Sequence, residues 1–232
     1  MDRLFEVGLG QRQAGVDLAG GLQNTLFTQP RVEPCRADLI RSFGVAVVGD
    51  RAIREHNIEQ TFAATDTGRI KAAADAIVEA RHSYVLGVGI NHTLARNFAY
   101  LADMALGSVR AIPRDGSLAI DDVARAGPGD VLPAMTFKPY RSEIVDAVAI
   151  ARRQGVTVIG LSDSPASPVV AGSEHGFVVQ TETAHFFNST VAAGALLETL
   201  MAFVIADANE EVVANIDRFH AQRRALAIYR DD

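Results

Sequence analysis

At 232 residues, with 48% hydrophobic and 22% charged residues, the chain has an ordinary globular composition and can bury a substantial core. Its formal net charge of −6 at pH 7 disfavours DNA binding by this chain alone, because phosphate contacts call for a basic excess or a concentrated basic face. The single cysteine, Cys35, excludes an intramolecular disulfide framework and fits a reducing cytoplasm.

Residues 1–55 read as a helical lead-in. "LFEVGLGQRQAGVDLAGGLQNTLF" has helical spacing, but its glycines weaken any helix that does not dock on something larger. "TQPRVEP" then breaks the chain, since two prolines in seven residues forbid a continuing helix. No basic-then-apolar leader is expected at the start. From Ile53, "IREHNIEQTFAATDTGRIKAAADAIVEA" spaces Ile58, Phe62, Ile70, Ile77 and Val78 among polar residues. That pattern predicts two helices joined near Thr65 to Gly68, with Asp66 or Thr67 as the cap.

Beyond them the pattern alternates, and residues 56–232 read as one α/β domain. "SYVLGVG" is a strand, and "HTLARNFAYLADMALG" a helix with Leu94, Phe98, Leu101 and Ala105 on one face and Gly107 as its stop. "SVRAIP" and "VLPAMTF" are the second and third strands. "YRSEIVDAVAIARRQG" is a helix turning Ile144, Val145, Val148 and Ala151 inward. "VTVIGLSD" and "GFVVQT" are strands four and five. The apolar run Val191 to Ala206 carries Glu198 in its middle, is too short to span a bilayer and reads as a buried helix. A charged helix from Glu210 to Tyr229 follows, with Val213, Ile216, Phe219 and His220 on one side.

Strands that are continuous apolar runs separated by helices are buried on both faces and parallel. The expectation is a doubly wound, five-stranded α/β sheet, taken in the flavodoxin-like order 2-1-3-4-5. Ligands of such sheets bind beyond the strand ends where the order reverses, between strands one and three. The two most polar strand ends fall there: "GVGINHT" and "MTFKPYRS".

In "GVGINHT", Gly87 and Gly89 allow close backbone approach, and a helix starting near His92 offers free amides to an anion. The alternative is a plain glycine turn. His92 occupies the third glycine position of the dinucleotide fingerprint and no Walker-A lysine is present. No acidic residue closes strand two, and Asp115, the nearest, follows Pro113 and Arg114 in a loop, so a nicotinamide enzyme is the weaker reading. In "MTFKPYRS", Lys138 and Arg141 can neutralise a phosphate, Thr136, Tyr140 and Ser142 add hydroxyls, and Pro139 sets a turn into the helix. Two cations at a helix N-terminus oppose the usual acidic preference and call for an anionic partner. Otherwise the two cations are simply solvated and Thr136 packs.

Elsewhere the candidates are weaker. The "LSDSPASP" loop offers Ser162, Asp163 and Ser164 to ligand hydroxyls, or is an ordinary turn. In "TETAHFF", Glu182 and His185 could act as base and acid near a sugar, or could be loop and cap residues. The histidines lack metal spacing and no G-x-S-x-G elbow occurs, so no metal, cofactor or hydrolase chemistry is expected.

The strings "YVLGVGINHTLARNFAYLADMA", "AIPRDGSLAIDDVA", "GDVLPAMTFKPYRSEIVDAV" and "GVTVIGLSDSPASPVVAGSEHGFVV" resemble the sugar isomerase (SIS) domain of the RpiR family of bacterial transcriptional regulators. The resemblance runs from about residue 56 to the end. It implies a five-stranded parallel sheet that binds phosphorylated sugars in a homodimer or homotetramer. Against the G-x-G-x-S loop of such domains, Gly87 and Gly89 match and Asn91 stands in the serine slot. Against S-x-S-G-x-[ST], Thr136 fills the first slot, while Lys138, Pro139 and Arg141 replace serine, glycine and the last hydroxyl. A hydroxyl cradle has become a cationic one. "DRLFEVGLG" resembles the tail of the family's helix-turn-helix recognition pattern. The earlier helices of that unit would then be absent, through loss from the gene or a start at an internal methionine. The resemblance implies a phosphosugar-sensing effector domain, with an aldose–ketose phosphosugar isomerase on the same fold as the alternative.

Overall fold

The computed structural model describes residues 43–206 and 210–228. The glycine-rich lead-in, the "TQPRVEP" break and the helix-turn-helix remnant lie outside the described residues. Helix α1 (Phe43–Ala63) and helix α2 (Thr67–Glu79) meet at the expected joint. Asp66 is the α2 cap, its carboxylate accepting the Gly68 N–H at 3.3 Å. Ile70, Ala73, Ala74 and Ile77 of α2 are buried, the three- and four-residue spacing that keeps one helix face inward.

Strand β1 (Ser83–Leu86) leads through a single 3-10 turn (Gly89–Asn91) into α3 (His92–Leu106). Gly107 ends α3 at φ +62°, a conformation that costs glycine nothing. Then come β2 (Val109–Ile112), the short α4 (Ala119–Val123), β3 (Val131–Met135), α5 (Ser142–Arg153), β4 (Thr157–Ser162) and β5 (His175–Val178). Helices α6 (Val191–Ala206) and α7 (Glu210–Ala225) close the order.

All pairings are parallel, as the alternating apolar runs predict, and the sheet order is the flavodoxin-like β2-β1-β3-β4-β5. Successive strand residues point to opposite faces, so the sheet carries two cores. Val85, Met135, Leu161 and Phe177 face α2, α3 and α6, while Leu86, Leu132 and Val158 face α4 and α5. Helix α6 buries Ala192, Ala193, Leu196, Leu197, Leu200, Met201 and Val204, and leaves Glu198 exposed. No single helix among the described residues is long and apolar enough to cross a membrane.

Two local expectations shift. Helix α5 begins at Ser142 rather than Tyr140, after a cis Lys138–Pro139 peptide, so Pro139 precedes the Arg141 cap instead of opening the helix. In α7 the inward residue is Val212, with Val213 exposed, and Asn215 Nδ2 donates to the Ala105 carbonyl at 3.0 Å. A polar residue thus shares the docking face, which a purely apolar reading of the helix passes over.

Asp130 ties the start of β3 to the start of β1. Its side chain is fully buried and accepts from Arg81 Nε (2.9 Å) and Nη2 (2.8 Å) and from the Gly127 N–H (2.9 Å). The Arg81 guanidinium, against the opposing effect of burial, holds this carboxyl below its ordinary value, with the Gly127 amide adding to it. A carboxyl depressed in the folded state binds protons more readily when unfolded. Its contribution is therefore complete above the unfolded value, near pH 4, and is lost as pH falls through the folded value. Asp130→Asn is expected to cost about 1–3 kcal/mol at pH 7 and less at pH 3, read from urea midpoints at the two pH values.

Candidate functional site

The order reversal lies between β1 and β3, and both polar strand ends leave the sheet at that point. Gly87 is there for close approach. A Cβ on it would stand 2.4 Å from the Asn91 carbonyl oxygen and 2.9 Å from Ala95 Cβ, so any side chain would push α3 off the strand end. Gly89 follows at φ +61°, and a Cβ on it would lie 3.5 Å from Arg141 Nη1. Residues 52 positions apart in sequence are thereby brought together: the Arg141 guanidinium lies over the Gly89 backbone.

Around this contact the sequence-predicted residues separate into a buried frame and an open face. Thr136 is buried, and its Oγ1 accepts the Arg141 N–H at 3.4 Å. Ser162 is fully buried and donates its hydroxyl to the Thr136 carbonyl at 2.6 Å, with Asp163 Oδ1 at 3.1 Å. Asn91 is buried, with Nδ2 a long 3.5 Å from the Met135 carbonyl. Its Oδ1 is enclosed without a partner among the described residues. These three side chains brace the strand ends. Lys138, Arg141, Ser142 and Gly89 are exposed, and Tyr140 and His92 are half-buried.

The open face is electropositive for two independent reasons. Lys138 pairs with no carboxylate among the described residues, and Arg141 meets only Glu143 Oε2, at 4.0 Å. In addition, α3 and α5 both start here, and neither cap residue, Asn91 or Arg141, supplies a side-chain acceptor to its helix. At α3 the Asn91 and His92 N–H groups are already taken by the Val88 and Gly89 carbonyls of the 3-10 turn, so the free amide donors are those of the first turn of α5, and the positive ends of the two helix dipoles join the two cations. Such a surface can hold a small dianion, with the Arg141 fork giving two parallel donors and Lys138 a mobile charge.

Glu182 and His185 sit in the segment between β5 and α6. Glu182 is exposed, and its carbonyl accepts from Asn57 Nδ2 at 2.7 Å. His185 Nε2 lies 3.8 Å from Asp50 Oδ1, and its ring stacks on Phe187 with centroids 5.3 Å apart. The segment reaches the cationic loop through Asn188, whose Nδ2 donates to the Lys138 carbonyl at 2.7 Å. Asn188, Asn57 and Asp50 carried no motif in the sequence.

The SIS domain family profile matches residues 76–206, more than half of the chain. Among solved structures, the chain is 25% identical to the sugar isomerase domain of the RpiR transcription factor from Sphaerobacter thermophilus. That match covers 75% of this chain and 97% of the other, with a TM-score of 0.70. The Vibrio vulnificus NanR protein, solved in complex with ManNAc-6P, is 18% identical over 82% of this chain and 72% of its own, with a TM-score of 0.69. A hypothetical protein from Methanococcus jannaschii, from whose structure a 3-hexulose-6-phosphate isomerase function was inferred, is 16% identical. It aligns over 74% of this chain and 97% of its own at a TM-score of 0.58. The last two likenesses concern the fold.

Proposed function

Because the chain belongs to the SIS domain family, we propose that it binds a phosphorylated sugar beyond β1 and β3 and serves as the effector domain of an RpiR-type transcriptional regulator. The observation that carries the reading is the Arg141 guanidinium lying over Gly89 at the point where strand order reverses. The phosphate would take the Arg141 fork, Lys138 and the free amides at the start of α5. The sugar hydroxyls would take Tyr140, Ser142, His92 and the Asp163 carboxylate. Thr136, Ser162, Asn91 and Gly87 would keep those groups in place. The NanR complex with ManNAc-6P supports the ligand class. The net charge of −6 supports ligand sensing over DNA reading as the role of this chain. Self-association as a homodimer or homotetramer, and a cytoplasmic location, belong to the same proposal.

Calorimetric titration with hexose and pentose phosphates, each beside its unphosphorylated sugar, tests the reading. The expected result is binding of a phosphate ester and none of the matching neutral sugar. Binding of neutral or acidic sugars with no phosphosugar bound would overturn it.

A second reading, an aldose–ketose phosphosugar isomerase, draws on one observation: His185, beside Asp50, lies in the segment tethered to the Lys138 loop. Isomerisation moves a proton between adjacent carbons, which Glu182 or His185 would mediate. If the chain only binds, carbon-bound hydrogen of the phosphosugar stays unexchanged in heavy water for wild type and Glu182→Gln alike. Exchange that wild type shows and Glu182→Gln loses would establish the isomerase instead.

A further inference from the structure

We propose that Phe186 and Phe187 form the wall of the site that reads the sugar ring, a role that rests on the phosphosugar reading above. The two rings sit at the tip of a segment pinned at both ends. At its near end the Gln180 N–H donates to Thr61 Oγ1 at 2.9 Å and Asn57 Nδ2 donates to the Glu182 carbonyl at 2.7 Å. Thr61 and Asn57 are both fully buried on α1, so these anchors are shielded from water. At its far end the Ser189 N–H donates to the Thr181 carbonyl at 3.0 Å, closing the loop, and Asn188 holds the Lys138 carbonyl.

Between these anchors Phe186 is 71% exposed and Phe187 44% exposed. They meet edge to face with centroids 5.2 Å apart, and His185 stacks on the other side of the pair. Two phenyl rings left in water forgo the gain of burial. A loop closed on itself and tied down at each end cannot fold them into the core. The residue directly after them is bonded to the backbone of Lys138, so the apolar tip is held next to the cationic face.

A ligand that satisfies both surfaces has a charged end and a ring with an apolar C–H face. The phosphate end takes Arg141 and Lys138, and the ring face lies against the phenyl wall. A phosphate monoester without a ring fills only the first half. The aromatic pair therefore separates cyclic sugar phosphates from small acyclic phosphates, and contributes nothing to phosphate capture itself.

The test is calorimetry on the full chain with inorganic phosphate, glycerol 3-phosphate, glucose 6-phosphate, fructose 6-phosphate and ribose 5-phosphate. Wild type, Phe186→Ala, Phe187→Ala and Phe186→Leu are compared. The expected result is a loss of about tenfold, for either alanine variant, with whichever sugar phosphate binds tightest, the scale of one lost apolar contact. Inorganic phosphate and glycerol 3-phosphate change by less than about twofold, Phe186→Leu is intermediate, and the thermal midpoint of the two Phe186 variants is unchanged because that ring is exposed. Equal losses for all five ligands, or no loss for any, overturn the wall while leaving the cationic cradle standing. Unchanged ligand affinity with a fall in sedimenting mass shows that the rings cover a second copy of the chain, and also overturns it. Wild type that binds no phosphate monoester overturns the cradle and the wall together.

Discussion

Arg141→Ala is expected to weaken the best-binding sugar phosphate roughly 10- to 100-fold, the range of about 1.5–3 kcal/mol carried by hydrogen bonds to a charged group. The side chain is 58% exposed and its nearest carboxylate is 4.0 Å away, so removing it strands no buried charge and leaves folding untouched. A fall in affinity with an unchanged thermal midpoint would therefore report ligand contact alone. Arg141→Lys keeps the charge but loses the planar fork, and falls between wild type and alanine. Affinity also drops with added salt, because both partners are open to solvent and the screening length is about 8 Å at physiological ionic strength. Wild-type affinity in Arg141→Ala would remove the central assignment.

Gly160→Ala is the largest expected stability defect. A Cβ at this β4 position would stand 1.9 Å from the Val169 carbonyl oxygen, 2.7 Å from its carbon and 2.9 Å from Ser173 Oγ. That backbone cannot step aside cheaply. Val169 is fully buried, its carbonyl accepts from the Ser173 hydroxyl, and Arg152 Nη1 grips the neighbouring Pro168 carbonyl at 3.0 Å. One added methyl must lift the 163–173 segment from the sheet or bend β4. Overpacking of this kind costs about 3 kcal/mol, at the upper end of its usual range. For a domain of this size that lowers the thermal midpoint by roughly 6–12 °C. A midpoint within experimental error of wild type would show that the segment yields, and would refute the account of why this position is glycine. The same segment carries Asp163 to the strand ends, so a loss of ligand affinity should accompany the loss of stability.

Which parts of this were legible in the chain follows from the range of the interactions involved. The apolar runs at "YVLGVG", "VLPAM" and "VTVIGL", separated by amphipathic stretches, were enough for a parallel sheet, while its order was adopted from flavodoxin-like sheets and not read from the runs. Burial on two faces leaves no polar alternation in a strand, and parallel pairing demands a crossover helix. The Asp66 cap and the Gly107 stop were equally readable, since each satisfies backbone groups within a turn of itself. The two cations were readable as a chemical anomaly, because a helix start disfavours them.

The division of labour inside the site was not readable. Thr136, Ser162 and Asn91 look, as residue types, like ligand contacts. The fold turns them inward, where Thr136 and Ser162 satisfy backbone groups and Asn91 Oδ1 is left enclosed. Nor could any local pattern show that Asn57 and Thr61 reach segment 180–182 across 125 and 119 residues, or that Asn188 would hold Lys138 across 50. By itself the sequence determined the parallel α/β architecture and the excess of cations at one strand end, because those depend on periodicity and composition within single elements. The tertiary structure decided which polar groups face the crevice and which brace it. A hydroxyl or amide takes whichever partner the packing of distant elements places within hydrogen-bond reach, and that distance is written in no single stretch of the chain.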